Sequence, residues 1–286
     1  MKTWLTSVGL ALLLACAPAR AEIVRNLYGA ERIVTGTEEP ERSRGFREAL
    51  EDVLVKVTGD TRLGSSEKIK PLLERASALV AGFVYQDRMK DLPVRDEQGT
   101  RDRPHVLRVW FDEPTLKSWL LALGLRAWPV DRPRVMMALW VERPGATDRQ
   151  FFVADTGDYG LLQRQVALDH ARKRGLPLVF PSAKDASKQD GIWRLMPRPY
   201  PDATEAPLAE ALRTRRIEDF RKKNSIDAML TCLLGLEQSG TWSGEWDAAS
   251  LPEFKDLGRL PVRHVSFDTA IKDGIDMMVR ALSGNE

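Results

Sequence analysis

The chain has 286 residues, with 43 Lys and Arg against 41 Asp and Glu, and only two Cys. The charge balance leaves no basic surplus for neutralising phosphates, so no nucleic-acid partner is expected. Two cysteines exclude a small scaffold held together by disulfides.

The first residues, MKTWLTSVGLALLLACAPARAEIV, place one Lys ahead of an apolar run from Trp4 to Ala17 and end on Ala19-Arg20-Ala21, the small-x-small pattern of a cleaved leader. The expectation is a signal peptide over 1–21, cut after Ala21, and a mature chain that starts at Glu22 in the periplasm. A competing reading anchors the protein as a lipoprotein at Cys16, because LLLAC also satisfies the loose lipidation pattern. The leader is short for a bilayer core of about 30 Å, and no later stretch is long and apolar enough, so no transmembrane span is expected after cleavage. Losing Lys2 and Arg20 leaves 41 basic and 41 acidic side chains, a formally neutral mature protein. Cys232 is then the one remaining thiol, expected to be buried within AMLTCLLGL. About 265 residues fit two modest domains better than one.

In chain order, EIVRNLYGAERIVTG reads as a strand. Phe46, Ala49, Leu50, Val53, Leu54 and Val57 then share one face of a helix between Pro40 and Gly59. A second helix is expected from Ser65 or Ser66, burying Ile69, Leu72, Leu73, Ala76 and Val80. GFVYQDRM returns extended. HVLRVWFD alternates Leu107, Val109 and Phe111 against polar neighbours, the period of a half-buried strand, and Asp112 or Glu113 with Pro114 opens a short helix closed by Gly124.

Pro129 and Pro133 mark the expected domain boundary, giving 22–130 and 131–286. Beyond it VMMALWVE is an apolar strand, a helix runs from about Asp158 to Lys173, and LPLVFP is a short buried strand, together a βαβ pattern. The Pro-rich stretch from 181 to 207 reads as a surface excursion with a small helical patch near Asp185 to Trp193. A long helix through RTRRIEDFRKK, whose charges are expected to face solvent, leads into a hairpin turning at Gly240. RHVSFDTAIKDGIDMMVRAL closes the chain as a helix. The fold class is α/β, mixed α+β, in two small domains of strands and amphipathic helices.

The stretches ALEDVLVKVTGD (49–60), 107–141, RKRGLPLVFP (172–181) and GEWDAA (244–249) resemble the exported proteobacterial family catalogued as domain of unknown function 2066. That resemblance implies an envelope location and an α/β architecture, and it supplies no substrate and no catalytic residue. The first half also resembles small α/β docking modules of periplasmic assembly proteins.

Two stretches invite a catalytic reading. Asp155-Thr156-Gly157 spells the aspartic-peptidase triplet, and Asp268-Thr269-Ala270 echoes it, but that chemistry needs two carboxylates about 3 Å apart, each on a Gly-containing loop. Here helical periodicity follows both, so Asp158 and Asp268 are read as helix-entry residues that accept first-turn N–H groups. His105, His170 and His264 lack metal-ligand spacing, so neither metal nor cofactor is expected. Trp242 and Trp246, four apart on one strand, share a face, and they are the candidate binding residues; core packing is the competing reading.

The sequence thus predicts a periplasmic protein without catalytic residues, an interaction or assembly module with an envelope protein as partner. The alternative is an envelope hydrolase with its site near the loop 154–158.

Overall fold

The computed structural model describes residues 22–91, 95–96, 99–100, 103–145, 150–151, 160–182, 206–249 and 259–285. The expected leader with Cys16, the residues Asp155 and Asp158, and the helical patch expected at 185–193 lie outside the described residues. The protein is a mixed α/β fold.

The first lobe is built on a three-stranded antiparallel sheet. Strands β2 (Gly29–Thr35) and β3 (Val80–Asp87) flank β6 (Pro104–Phe111). Short β1 (Glu22–Ile23) precedes them, and β4 (Arg95–Asp96) and β5 (Gly99–Thr100) pair with each other between β3 and β6. Leu107, Val109 and Phe111 of β6 are buried while Trp110 is 38% exposed, which is the alternation a sheet covered on one face imposes. Helix α1 (Glu41–Thr58) covers that face with Phe46, Ala49, Leu50, Val53, Leu54 and Val57. Gly59 ends it with φ 74°, and its N–H donates to the Val55 carbonyl.

The second helix expected from Ser65 or Ser66 is broken. Tight turns at Leu63–Ser65 and Glu67–Ile69 lead into a four-residue α2 (Lys70–Leu73), and Ala76–Leu79 is another tight turn. Pro71 accounts for the break: without an N–H it is at home in a first helical turn and cannot continue a helix begun at Ser66. Ser66 does cap, accepting from the Lys68 N–H, and Ile69, Leu72 and Ala76 are buried as expected. Helix α3 (Glu113–Ala122) starts at Asp112, whose carboxylate accepts from the Thr115 N–H at 2.9 Å.

The second lobe is a larger sheet in the order β10 (Leu178–Val179), β8 (Val135–Glu142), β11 (Ala228–Leu236), β12 (Trp242–Ala249), β13 (Arg259–His264), with β9 (Gln150–Phe151) also pairing β8. Strand β8 runs parallel to both β10 and β11; β11, β12 and β13 are antiparallel. Val135, Met137, Leu139 and Val141 join a core with α4 (Leu161–Arg174) and α6 (Phe267–Ser283), and Met136, Ala138 and Trp140 join another with α5 (Ala206–Asn224). A strand covered on both faces needs the unbroken apolar run VMMALWV. The hairpin β11–β12 turns at Gly240, φ 80°.

Several details depart from expectation. Helix α4 begins at Leu161 behind Gly160 rather than near Asp158. Ser266 is the cap of α6, accepting from the Thr269 N–H, and Asp268 lies inside its first turn. RLPVRH, whose last residues were assigned to that helix, forms β13. In α5, Arg213 is not solvated: it is tucked against Asp247 of β12 at 2.7 Å.

Candidate functional site: a groove between the two sheets

The last four carbonyls of a helix have no partner within it. In α1 those of residues 55–58 are all satisfied, and three of the four donors come from beyond the first sheet. Gly59 N–H donates to Val55, an Arg132 Nη2–H to Lys56 at 2.8 Å, Trp128 N–H to Val57 at 2.8 Å, and Asn285 Nδ2–H to Thr58 at 2.6 Å. Arg132 belongs to β7 (Asp131–Arg132), which pairs with β1, and it is completely buried. Its guanidinium also donates to the carbonyls of Pro129, Arg174 and Gly175, and it stacks 3.9 Å over the Trp128 ring. One buried cation thus sits at the negative ends of both α1 and α4. Burial pushes its proton affinity down to a pKa of about 10, and the Tyr28 hydroxyl opposes the shift. Gly175 is required at this point, because a Cβ there would strike the guanidinium.

Beside this clamp runs a groove of about 1440 Å³. One wall is the N-terminal segment and β2; the other is the last turns of α4 with Gly175 to Leu178. Five successive β2 residues, Gly29 to Ile33, line it, so the groove follows the strand's free edge. The hydrogen bonds Phe111 N–H to Tyr28 carbonyl and Gly36 N–H to Arg103 carbonyl fix the register: even-numbered residues bond to β6, and Gly29, Glu31, Ile33 and Thr35 turn their backbone groups outward. The two ends of that edge are closed. Gly29 accepts from the Lys56 ammonium, and the Thr35 N–H donates to the Glu41 carboxylate. Between them the N–H and C=O groups of Glu31 and Ile33 face the groove with no partner among the described residues.

Lys56 is buried by its helix position, its ammonium donating to the carbonyls of Asn26 and Gly29. Burial lowers its pKa to about 8, against the pull of Asp52, and the Arg132 charge lowers it further. Asp52 itself pairs with Arg32 at 2.8 Å. The acids of the groove are largely matched: Glu31 with Arg108, Glu48 with Arg44, Asp169 with Arg172. Arg25, Arg88 and Lys173 are exposed along it with no ion-pair partner among the described residues.

The expected binding pair is not an exposed platform. Trp246 is fully buried, its indole N–H donating to the Ala270 carbonyl at 2.8 Å, and Trp242 is half-buried against Phe267 with ring centroids 4.7 Å apart. The two rings do share a face, the one α6 covers. His170 and Asp276 meet at 2.7 Å, but Arg174 shares the carboxylate and no hydroxyl or thiol joins them among the described residues. Burial drives the Asp276 pKa up, and the hydrogen bonds from His170 and Arg174 outweigh it, so the net shift is downward. Cys232 is buried in the large sheet, which raises its pKa well above the ordinary thiol range. Among the described residues no group of three or more His, Cys, Asp or Glu is placed to hold a metal ion.

Sequence reasoning missed Lys56 and Arg132. The one available signal was VLVKVT, where apolar residues surround Lys56 on nearly every side of the helix.

The fold and groove define an α/β protein built on two main sheets, with an open strand edge. Residues 21–129, covering the first lobe and ending just ahead of β7, match the family described as a domain of unknown function, DUF8605. This finding corrects the resemblance to domain of unknown function 2066, which rested on packing and turn patterns common to many α/β proteins and which nothing supports. No curated protein and no solved structure matches the chain.

Proposed function

We propose that this protein is a non-catalytic interaction module of the cell envelope, two α/β domains that receive an extended segment of a partner protein along the free edge of β2. The observation that carries the reading is the pair of outward backbone N–H and C=O sets at Glu31 and Ile33, opening onto the groove. An exposed edge invites strand pairing, and natural proteins usually blunt such edges unless they use them. The groove also exceeds the roughly 300–1,000 Å³ usual for small-molecule pockets, which favours a peptide segment. The periplasmic assignment rests on the leader-like N-terminus, with anchoring at Cys16 as its alternative. No helix among the described residues is long and apolar enough to cross a membrane.

The test is photocrosslinking in intact cells with a photoreactive residue at position 33, and at position 265 as control, since Val265 is exposed but does not line the groove. Adducts with a defined envelope protein from position 33 alone are expected. Equal adducts from both positions, or none from position 33, would overturn the reading. Intact mass of the purified chain decides between a start at Glu22 and a lipid-modified Cys16.

A further inference from the structure

The docking reading leaves the partner's chemistry open, and the groove's charge narrows it. We propose that the segment added to β2 is acidic, an extended stretch carrying Asp or Glu toward the end that lies beside Gly29. This inference rests on the docking reading above and adds to it the class of partner.

Unmatched positive charge flanks the open edge at its Gly29 end. Arg88 does not: it follows β3, across β6 from that edge, with its N–H donating to the carbonyl of Pro104. Arg25 and Lys173 lie at the Gly29 end: Arg25 adjoins Asn26, whose carbonyl accepts from Lys56, and Lys173 is two residues before Gly175, which packs on Lys56 and Arg132. Glu22 is the only acid lining the groove without an ion-pair partner among the described residues. From Gly29 to Thr35 a strand covers roughly 20 Å at about 3.3 Å per residue, so a segment of about eight residues spans the open edge. Its main chain would pair with Glu31 and Ile33, and its carboxylates would meet cations that now face only water. Lys56 takes no part in that pairing, since its ammonium is already committed to carbonyls beneath the strand.

The experiment is fluorescence anisotropy of the purified mature chain with three labelled peptides of about eight residues, the length set by the strand span. One alternates Val and Thr with Glu, one carries Lys in place of Glu, and one is the Glu peptide N-methylated at alternate residues. The Glu peptide is expected to bind at least about tenfold more tightly than the Lys peptide at low salt, with the gap closing as salt rises. N-methylation should abolish binding. The pair Arg25→Glu with Lys173→Glu should weaken the Glu peptide and strengthen the Lys peptide, while Arg88→Glu, across β6 from the edge, should change binding much less. Ile33→Pro removes an outward N–H without touching the ladder to β6, so it should lose binding while keeping the wild-type melting profile.

Equal binding of both charged peptides, still lost on N-methylation, would overturn the acidic assignment and leave strand addition standing. Binding that survives both N-methylation and Ile33→Pro would overturn strand addition and the acidic assignment together. Failure of every peptide to bind would overturn the acidic assignment, and crosslinking from position 33 would then judge the docking reading by itself.

Discussion

The two sheets bury their strands in different ways. In the larger one β8 and β11 are covered on both faces, by α4 and α6 on one side and α5 on the other. In the smaller one only the α1 face is covered, so Ile33, Val84 and Trp110 face outward and both flanking strands keep a free edge. The large sheet has no spare surface among its central strands, so substitutions there act on stability. The small sheet has an open face and an outward edge at Glu31 and Ile33, so outward substitutions there should cost little stability. The difference separates a half covered on both faces from a half with one open face, joined through Arg132.

That contrast can be broken most forcefully at Trp246. Trp246→Ala should cost about 3–5 kcal/mol and lower the melting temperature sharply, because the ring is wholly buried and fills the space over Gly274. Trp242→Ala, half-buried on the same face, should cost less than about 2 kcal/mol. A similar small loss at both positions, measured by denaturant unfolding, would contradict the burial of this face of the large sheet under α6.

Arg132→Met tests the junction. It strips donors from the carbonyls of Lys56, Arg174 and Gly175, and a loss of about 2–4 kcal/mol is expected from buried acceptors left unpaired. Calorimetry should also show one transition splitting into two as the lobes melt separately. A single transition at the wild-type temperature would mean that Arg132 does not couple them.

Lys56 sharpens the comparison through pH. Its folded pKa of about 8 lies below the ordinary 10.5, so between those values the unfolded chain binds more protons and stability rises with pH. Below pH 8 the full cost of burying the charge is present; above about 10.5 it has gone. From pH 8 to 9.5 the wild type should gain about 1.5 kcal/mol relative to Lys56→Met, a difference that cancels the opposing ionisation of Cys232 in the unfolded chain. Urea unfolding of both proteins at several pH values measures it, and a difference that stays constant with pH would refute the buried ammonium.

The smallest effect concerns the entrance to α6. Ser266→Ala should cost about 1 kcal/mol as a lost cap. Asp268→Ala loses only its favourable place near the helix dipole, about 0.3–1 kcal/mol. A larger loss at Asp268 than at Ser266 would reverse their assigned roles.

Much of the fold was legible because local pattern and burial agree. Alternation at Leu107, Val109 and Phe111 marked a sheet with one covered face, and Gly59, Asp112 and Gly240 marked turns through ordinary cap and hairpin chemistry. The broken second helix was hidden because apolar spacing at Ile69, Leu72 and Ala76 looked continuous while Pro71 interrupted the backbone. The shared face of Trp242 and Trp246 was readable from strand parity; that α6 covers it was not, since the contact joins segments more than twenty residues apart. Lys56 and Arg132 were the least readable. Buried cations normally need anions, but Arg132 meets the carbonyls of helix ends that only the assembled lobes bring together, and Lys56 meets those of Asn26 and Gly29, far away in sequence. The free edge of β2 was likewise invisible, because a strand's place in a sheet is settled by its neighbours and leaves no mark on its own residues.

Cys232 gives the large sheet a built-in clock. A chain that begins at Glu22 has this one thiol, sealed in β11 between β8 and β12. Its side chain lies in the core under α4 and α6, so a thiol reagent can reach it only when that layer lifts from the sheet, and under native conditions the labelling rate follows that opening equilibrium. Opening confined to β2, β3 or β6 leaves the sulfur untouched. Labelling therefore times the unfolding of one lobe within the intact protein, with no added probe.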